Sequence, residues 1–372
     1  MESKIYVLQI GMTPNAGGVE SYVMNLYRKI DRTKVQFDFI DWYGKDNIAY
    51  TNEIKKLGGK IYKIPARRSN PIKNSKLLST IMNSGKYDYI YNNLNSLSYI
   101  SGIRNGLKIH NLKIIVHSHN DNIEKSNKLS IFLNLIHKNV VKKNHLFRFA
   151  CSREAGVWMF GQMPFKVIPD SINTVEFDYH PNIRNEYRKN LNVENKIVFG
   201  NVARFSSQKN FGFLLEVFKN LHDINKKSVL LLVGDGEEKS EIKHKVSKLG
   251  LTSCVFFLGM RSDVANILQA MDVMISPSIF EGFGMSVLEA ECSGLPCFVS
   301  EAFHKEVLLT PNVTKLSISR GSEYWARTIF KTVNKLAERK SFSSTIKDNG
   351  FDNFENARHM EKFFINNRTM IL

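Results

Sequence analysis

"DVMISPSIFEGFGMSVLEAECSGLPCFVS" fills residues 272–300. Its first seven residues, 272–278, form a short apolar run that reads as a buried strand. A turn with Gly282 and Gly284 follows, then a mostly apolar helical run beginning near Met285. Residues 295–300 read as the next strand. Strand, turn, helix and strand in this order make up the unit of a parallel sheet, because parallel strands need a crossover connection. Glu281 and Glu289 lie on either side of the turn. Their position leaves open a metal, a proton transfer or a ligand's hydroxyls.

The same plan recurs in both directions. Strands are predicted at 196–204, 228–236 and 254–259, with helices at 210–224, 237–249, 262–270 and 284–293. The first half repeats it, with strands at 4–10, 35–41, 60–64, 88–91, 113–117 and 147–151. Amphipathic segments at 19–30, 72–84 and 126–143 lie between them. Two such runs predict an α/β protein of two Rossmann-like, doubly wound domains. "KVIPDSINTVEFDYHP" (166–181) breaks the pattern with two prolines and several Asn, Asp and Ser residues, and marks the join. The expected division is 1–168 and 169–352, with a helix in 353–372 crossing back to the first domain. Ligands of open α/β sheets sit at the carboxyl ends of the strands, so two facing domains predict a site in a cleft.

Composition narrows the class. With 43% hydrophobic and 23% charged residues over 372 positions, the chain is globular and long enough for two cores. No run approaches the roughly 20 apolar residues of a membrane span. "MESKIYVLQIGM" reads as a first strand, not a secretory signal, and the expected location is cytoplasmic. Cys151, Cys254, Cys292 and Cys297 form no C-x-x-C pair and read as reduced, structural residues. Neither H-E-x-x-H nor a zinc-spaced cysteine cluster is present, so neither metal nor cofactor is expected. The net charge is +17, and residues 60–150 carry 16 Lys/Arg against three Asp/Glu, an excess of 13. Such a half suits an anionic partner or is a solvated basic face.

Several turns have the chemistry of an anion site. "GMTPNAGGVE" follows the first strand, and Gly17 and Gly18 precede a helix start with free N–H groups. "ARFSSQKN" places Arg204 and Lys209 five apart before a helix, a planar fork and a point charge fitted to two phosphates. "VGDGEE" places Gly234 and Gly236 at another helix start; a turn-forming Asp-Gly pair reads the same way. In "VHSHND", His117 and His119 alternate, which puts them on opposite faces if the strand continues. In the opening stretch, Gly284 leads into amides at Met285, Ser286 and Val287 that a helix leaves unpaired. The two glutamates flank that pocket as acceptors for hydroxyls. Alternatively Glu281 is a loop acid and Glu289 a helix-surface acid, which the apolar run around Glu289 argues against.

Together these motifs resemble the retaining glycosyltransferases of family four, along almost the whole chain. "EGFGMSVLEA" is similar to their E-x7-E signature, "ARFSSQKN" to their Arg-x4-Lys element, "NAGGVE" to their glycine loop and "VHSHN" to their histidine strand. "LPCFVSEAFHKEV" and "SEYWARTI" resemble the subgroup that builds capsular polysaccharides and exopolysaccharides. The resemblance implies the GT-B fold and a UDP-linked hexose or N-acetylhexosamine donor. It implies no metal at the diphosphate and a lipid-linked oligosaccharide acceptor. It places Glu281 on the donor sugar, Glu289 on the ribose, and Arg204, Lys209, Gly18, Met285 and Ser286 around the diphosphate. His119, more than His117, would lie over the sugar, and Gly259 and Met260 near the base. Where relatives have I-P-N-G-I-D, this chain has Ile168-Pro169-Asp170-Ser171-Ile172-Asn173, and no ligand contact is expected there.

No nucleophilic carboxylate presents itself on the opposite face of the sugar. The mechanism implied is same-face attack, with a departing phosphate oxygen taking the acceptor's proton. Segment 125–148 combines Leu129, Phe132, Leu133 and Ile136 with Lys138, Lys142, Lys143 and Arg148. It reads equally as an anionic-membrane contact, which would make the protein peripheral to the inner membrane face, and as a core-packing helix with a basic outer side. Two rivals remain: a UDP-sugar epimerase on the same fold, and a nucleic-acid-binding protein. The latter lacks any reading motif or basic–aromatic array, so no nucleic-acid partner is expected.

Overall fold

The computed structural model describes residues 3–368 except 16, 45, 67–68, 121–127, 144, 282 and 334–337, and the side chains of 128, 129 and 143 also lie outside the description. Gly282 and the start of segment 125–148 therefore fall outside it. The chain divides into two compact units, Met1–Ser171 with Asn353–Leu372, and Ile172–Asp352.

Among the described residues the first unit has seven strands: β1 (Ile5–Ile10), β2 (Val35–Asp41), β3 (Ile61–Lys63), β4 (Tyr89–Leu94), β5 (Lys113–Ser118), β6 (Phe147–Ala150) and β7 (Lys166–Val167). Their order is β3-β2-β1-β4-β5-β6-β7, and every pairing is parallel. The second unit has six: β8 (Ile197–Val202), β9 (Ser228–Val233), β10 (Val255–Gly259), β11 (Val273–Ser276), β12 (Cys297–Ser300) and β13 (Val313–Leu316). Their order, β10-β9-β8-β11-β12-β13, is also wholly parallel. Each sheet reverses its winding once, between β1 and β4 in one and between β8 and β11 in the other. Such switch points open a crevice at the carboxyl ends of the strands.

Continuous apolar runs make these central strands because both faces are covered. Phe199, Leu230, Leu232 and Ile275 are buried from the second sheet, and Leu214, Phe218, Leu288 and Trp325 close over it from the helices. β7 and β13 are not anticipated by the sequence reading. They are two and four residues long, and neither carries a continuous apolar run.

The helix Asn353–Asn366 follows the second unit in sequence but belongs to the first. Ala357, Met360 and Phe364 form its buried stripe. Phe364 packs edge-on against Tyr89 at 5.1 Å, and the Tyr89 hydroxyl donates to the Phe364 carbonyl at 2.8 Å. Burying a side chain the size of Phe364 contributes about 2–3 kcal/mol, which is enough to make the helix part of this core. All four cysteines are buried and none forms a disulfide. No described helix is long and apolar enough to cross a membrane.

Candidate functional site

The switch point of the second sheet gathers most of the expected ligand residues. The loop after β8 carries Arg204 and Lys209, and the loop after β11 carries Glu281. Lys209 Nζ lies 2.9 Å from Glu281 Oε1 and 2.7 Å from Oε2. The Lys209 side chain is 19% exposed and that of Glu281 9%, so each charge depends on the other to offset its desolvation. The pair does not saturate either group. An ammonium has three donors and a carboxylate about four acceptor positions.

Gln208, which the sequence reading passed over, joins the same two loops. Its main-chain carbonyl accepts from the Ile279 amide at 2.8 Å, and its Nε2 donates to the Phe280 carbonyl at 2.9 Å. A lone glutamine beside a lysine carries no signal of its own; only the three-dimensional approach of the loops reveals it. Arg204 is more exposed and pairs with Glu237 at 3.1 Å.

Gly234 and Gly236 serve close packing rather than a free-standing turn. A Cβ on Gly234 would lie 2.0 Å from the Ala203 carbonyl oxygen, and one on Gly236 2.4 Å from that of Phe205. The Phe205 amide donates to the Asp235 carbonyl at 2.9 Å. The glycines thus let the loop after β9 lie directly on the loop that carries Arg204. Gly259 ends β10 with φ +67° and accepts from the Gly234 amide at 2.9 Å. The adjacent Met260 is largely exposed.

Gly284, at φ +91°, precedes the helix Met285–Cys292. A Cβ there would strike the Phe303 ring at 2.7 Å. Met285 and Ser286 amides bond no group among the described residues, as a helix start leaves them. The Val287 amide is different. It donates to the Gly284 carbonyl at 2.9 Å, so the expected trio of free donors is a pair, because the first turn tightens.

Glu289 is half-buried, and its carboxylate has no hydrogen bond or ion pair among the described residues. Desolvation, with a smaller push from Glu176, raises its pKa to about 8. Two residues on, Glu291 is fully buried and accepts from the amides of Leu309 at 2.9 Å and Thr310 at 2.8 Å. Burial raises it to about 7. The sequence reading missed this third acid. It ties the helix to the 309–310 loop, a tie that Glu289 does not make among the described residues.

The first unit shows a separate polar cluster at the carboxyl end of its sheet. β5 ends at Ser118, so the alternation does not carry through, and His117 and His119 do not diverge. Their rings lie 4.1 Å apart at 31°. Tyr22 packs against both, at 4.7 and 5.0 Å. His119 Nε2 is 3.1 Å from Asn93 Oδ1, and Nδ1 is 4.0 Å from Asp170 Oδ1. Tyr91 links the Tyr22 hydroxyl at 3.0 Å to His117 Nδ1 at 2.9 Å. Burial lowers His119 to about 3 and raises Asp170 to about 7. His119 is therefore a neutral imidazole at physiological pH. Asp170 comes from the segment where no ligand contact was expected; its contact is with this histidine.

The glycine loop is partly occupied by its own chain. Glu20 reaches back to the Gly17 amide at 3.0 Å and the Thr13 amide at 2.7 Å, as an acid at the third helical position does. The Gly17 amide is thus occupied by its own helix. Gly18 is open, with nothing within 4 Å of a Cβ placed on it. Among the described residues no three His, Cys, Asp or Glu side chains are grouped to hold a metal ion.

Comparison with known proteins gives a consistent picture. The model of the family described as "Glycosyl transferases group 1" matches residues 182–349. The chain is 30% identical over 361 residues to the protein named glycosyltransferase EpsF of Bacillus subtilis (strain 168), covering 94% of both. It is 36% identical over 142 residues to the UDP-Gal:alpha-D-GlcNAc-diphosphoundecaprenol alpha-1,3-galactosyltransferase of Escherichia coli, 37% of each chain. Among solved structures, Anabaena HepE in complex with UDP and glucose superposes with a TM-score of 0.77 at 19% identity, over 96% of this chain and 99% of that one.

Proposed function

Because the chain belongs to the group 1 glycosyl transferases and has the GT-B fold, we propose that it moves a hexose or N-acetylhexosamine from a UDP-sugar to a lipid-linked saccharide. The transfer retains the anomeric configuration, needs no metal, and serves the assembly of an exopolysaccharide or capsule at the cytoplasmic membrane surface. The observation that carries this reading is the convergence of Arg204, Lys209, Glu281 and the Met285–Ser286 amides at one switch point. Cations and helix-start amides meet there beside a carboxylate held in place by Lys209. The E. coli relative's name, with its UDP-Gal donor and diphosphoundecaprenol acceptor, supports the donor and acceptor classes.

The chemistry follows from charge. As the glycosidic bond breaks, negative charge grows on the departing diphosphate and the sugar becomes oxocarbenium-like. Preorganised cations and amides stabilise that leaving charge more than they stabilise the ground state. They take the part that a metal plays elsewhere. Glu281 orients the sugar through its hydroxyls, and the proton of the incoming hydroxyl goes to a departing phosphate oxygen on the same face.

The test is incubation with UDP-glucose, UDP-galactose and their N-acetyl counterparts, with and without a short-chain polyprenyl diphosphate saccharide. Acceptor-dependent UDP release, unchanged by EDTA, with an α-linked product from an α-linked donor, is expected. An inverted product would overturn the same-face mechanism. Epimerised donor without transfer would overturn the transferase reading of the substrate.

Glu289 supplies a pH signature. Its free-state pKa is raised, and ribose hydroxyls donating to it favour the carboxylate, so UDP binding expels a proton. UDP affinity should therefore be constant above about pH 8 and fall by up to about tenfold between pH 8 and 7. Glu289→Gln should flatten this dependence. Calorimetry between pH 7 and 9 checks it, above the midpoint near pH 6 at which a terminal phosphate titrates, with the variant as the baseline for the part that UDP itself contributes. A wild-type profile as flat as the variant's removes Glu289 from the ribose.

A further inference from the structure

Two buried polar atoms of the first unit face each other with no hydrogen bond on either. His119 Nδ1 and Asp170 Oδ1 lie 4.0 Å apart, on side chains that are 2% and 10% exposed. Neither atom has a hydrogen-bond partner among the described residues. A buried polar atom left unpaired is costly, so two of them aimed at one another call for a physical account.

The neighbours of His119 fix what it offers. Asn93 Nδ2 donates to Gln9 Oε1 at 2.9 Å and to the Ile10 carbonyl at 3.4 Å. A main-chain carbonyl only accepts, which sets the orientation of the Asn93 amide. Asn93 Oδ1 is then the acceptor of the 3.1 Å contact with His119 Nε2, and that nitrogen carries the ring proton. Nδ1 is left with a lone pair turned towards Asp170. A carboxylate at Asp170 would set acceptor against acceptor.

The surroundings disfavour a carboxylate as well. Asp170 acts electrostatically on Tyr22, from the helix Gly18–Lys29, and on Tyr91, from β4. Cys151, just after β6, acts on the same Tyr22. From β5 and its end come His117 and His119. None of these groups is a cation, because burial lowers both histidines, and burial raises Asp170 to about 7. The chain on either side of Asp170 is pinned. Asn25 Nδ2 donates to the Ser171 carbonyl at 2.9 Å, and Asn356 Nδ2 to the Pro169 carbonyl at 3.3 Å. Rotation of the carboxyl group, without backbone movement, covers the remaining distance of about 1 Å to a hydrogen bond.

We propose that Asp170 works as a carboxylic acid whose O–H is donated to His119 Nδ1, and that it is a positioning residue for the imidazole. Its effect on turnover rests on the transfer reaction proposed above, in which His119 lies over the donor sugar. With Nε2 on Asn93 and Nδ1 on Asp170, both ring nitrogens are satisfied and the ring has one orientation. Once Asp170 ionises, the donor is lost, the Nδ1 lone pair faces a negative charge, and only the Asn93 bond still orients the ring.

Asp170→Asn is the informative variant, since it keeps the shape and an N–H donor at every pH. Melting curves test the protonation without any substrate. An acid whose native pKa is raised binds its proton in the folded state after the unfolded chain has released it. Wild type should therefore lose stability relative to Asp170→Asn as pH rises from about 4 to 7, with no further change above. A melting difference that stays constant from pH 4 to 8 would overturn the proposal. In protein labelled with ring-15N histidine, the His119 Nδ1 resonance, assigned by its loss in His119→Gln, should move between pH 6.5 and 8.5 in wild type and stay fixed in Asp170→Asn. Equal movement in both would also overturn it. At saturating donor, where the pH dependence of UDP binding does not enter, wild-type kcat should fall by about tenfold from pH 6.5 to 8.5, the worth of one hydrogen bond. Asp170→Asn should hold at pH 8.5 the turnover that wild type loses, and Asp170→Ala should be low throughout. A wild-type kcat profile as flat as that of Asp170→Asn would remove Asp170 from the positioning of His119. If wild type turns over no UDP-sugar at all, the transfer reaction fails, and the melting and resonance measurements still decide the acid–imidazole pair.

Discussion

Replacing Glu281 by Gln is expected to lower turnover by about two to three orders of magnitude, the range for removing one preorganised electrostatic contact to a transition state. UDP affinity should change by less than about threefold. The asymmetry follows from what the side chain touches. Glu281 is held by Lys209 through both oxygens, and in the proposed function its remaining acceptor positions take the sugar, not the nucleotide. Gln keeps the volume and one acceptor but loses the charge that faces the electron-poor sugar and balances Lys209. Lys209→Ala would be a poorer probe, since it strips the partner from a buried carboxylate and costs about 3–5 kcal/mol of stability. Donor turnover measured beside UDP titration separates the two effects. Turnover within threefold of wild type would remove Glu281 from the sugar.

Gly234→Ala should destabilise the second unit by about 2–6 kcal/mol. Two costs combine. At φ +132° an L-residue is strained, worth about 1–3 kcal/mol. The added methyl would also lie 2.0 Å from the Ala203 carbonyl oxygen, and forcing backbone apart costs a further 1–3 kcal/mol or so. The loop that must yield carries Arg204, so UDP affinity should fall as well. For a unit of this size the melting point should drop by about 10 °C. Gly18→Ala is the control, because nothing lies within 4 Å of a Cβ at Gly18. A melting curve for Gly234→Ala that matches wild type would mean the loops are not packed as described.

Most of the architecture was legible because buried parallel strands are short apolar runs and their crossovers are helices. Eleven of the thirteen strands among the described residues could be read this way. β7 and β13 were not, since their pairing comes from neighbours and not from their own composition. The second unit's candidate ligand residues were legible as motifs because glycines, paired cations and spaced acids have few uses at strand ends. Gln208 and Glu291 were not. A glutamine or a third glutamate acquires a role only when a distant loop is brought within hydrogen-bonding distance.

The sequence by itself determined the two parallel sheets, the family and the residue types suited to an anion, because periodicity, spacing and motifs are local properties of a chain. Tertiary structure alone decided which of those residues are still free. It closed the Gly17 amide with Glu20, paired Lys209 with Glu281, and left the Glu289 carboxylate without a partner among the described residues. It stacked His117 on His119 beside Asp170, and turned Phe132, Leu135 and Ile136 outward. The physical reason is the same in each case. Desolvation and hydrogen-bond satisfaction depend on every group that surrounds a side chain, and those groups come from segments far apart in the sequence.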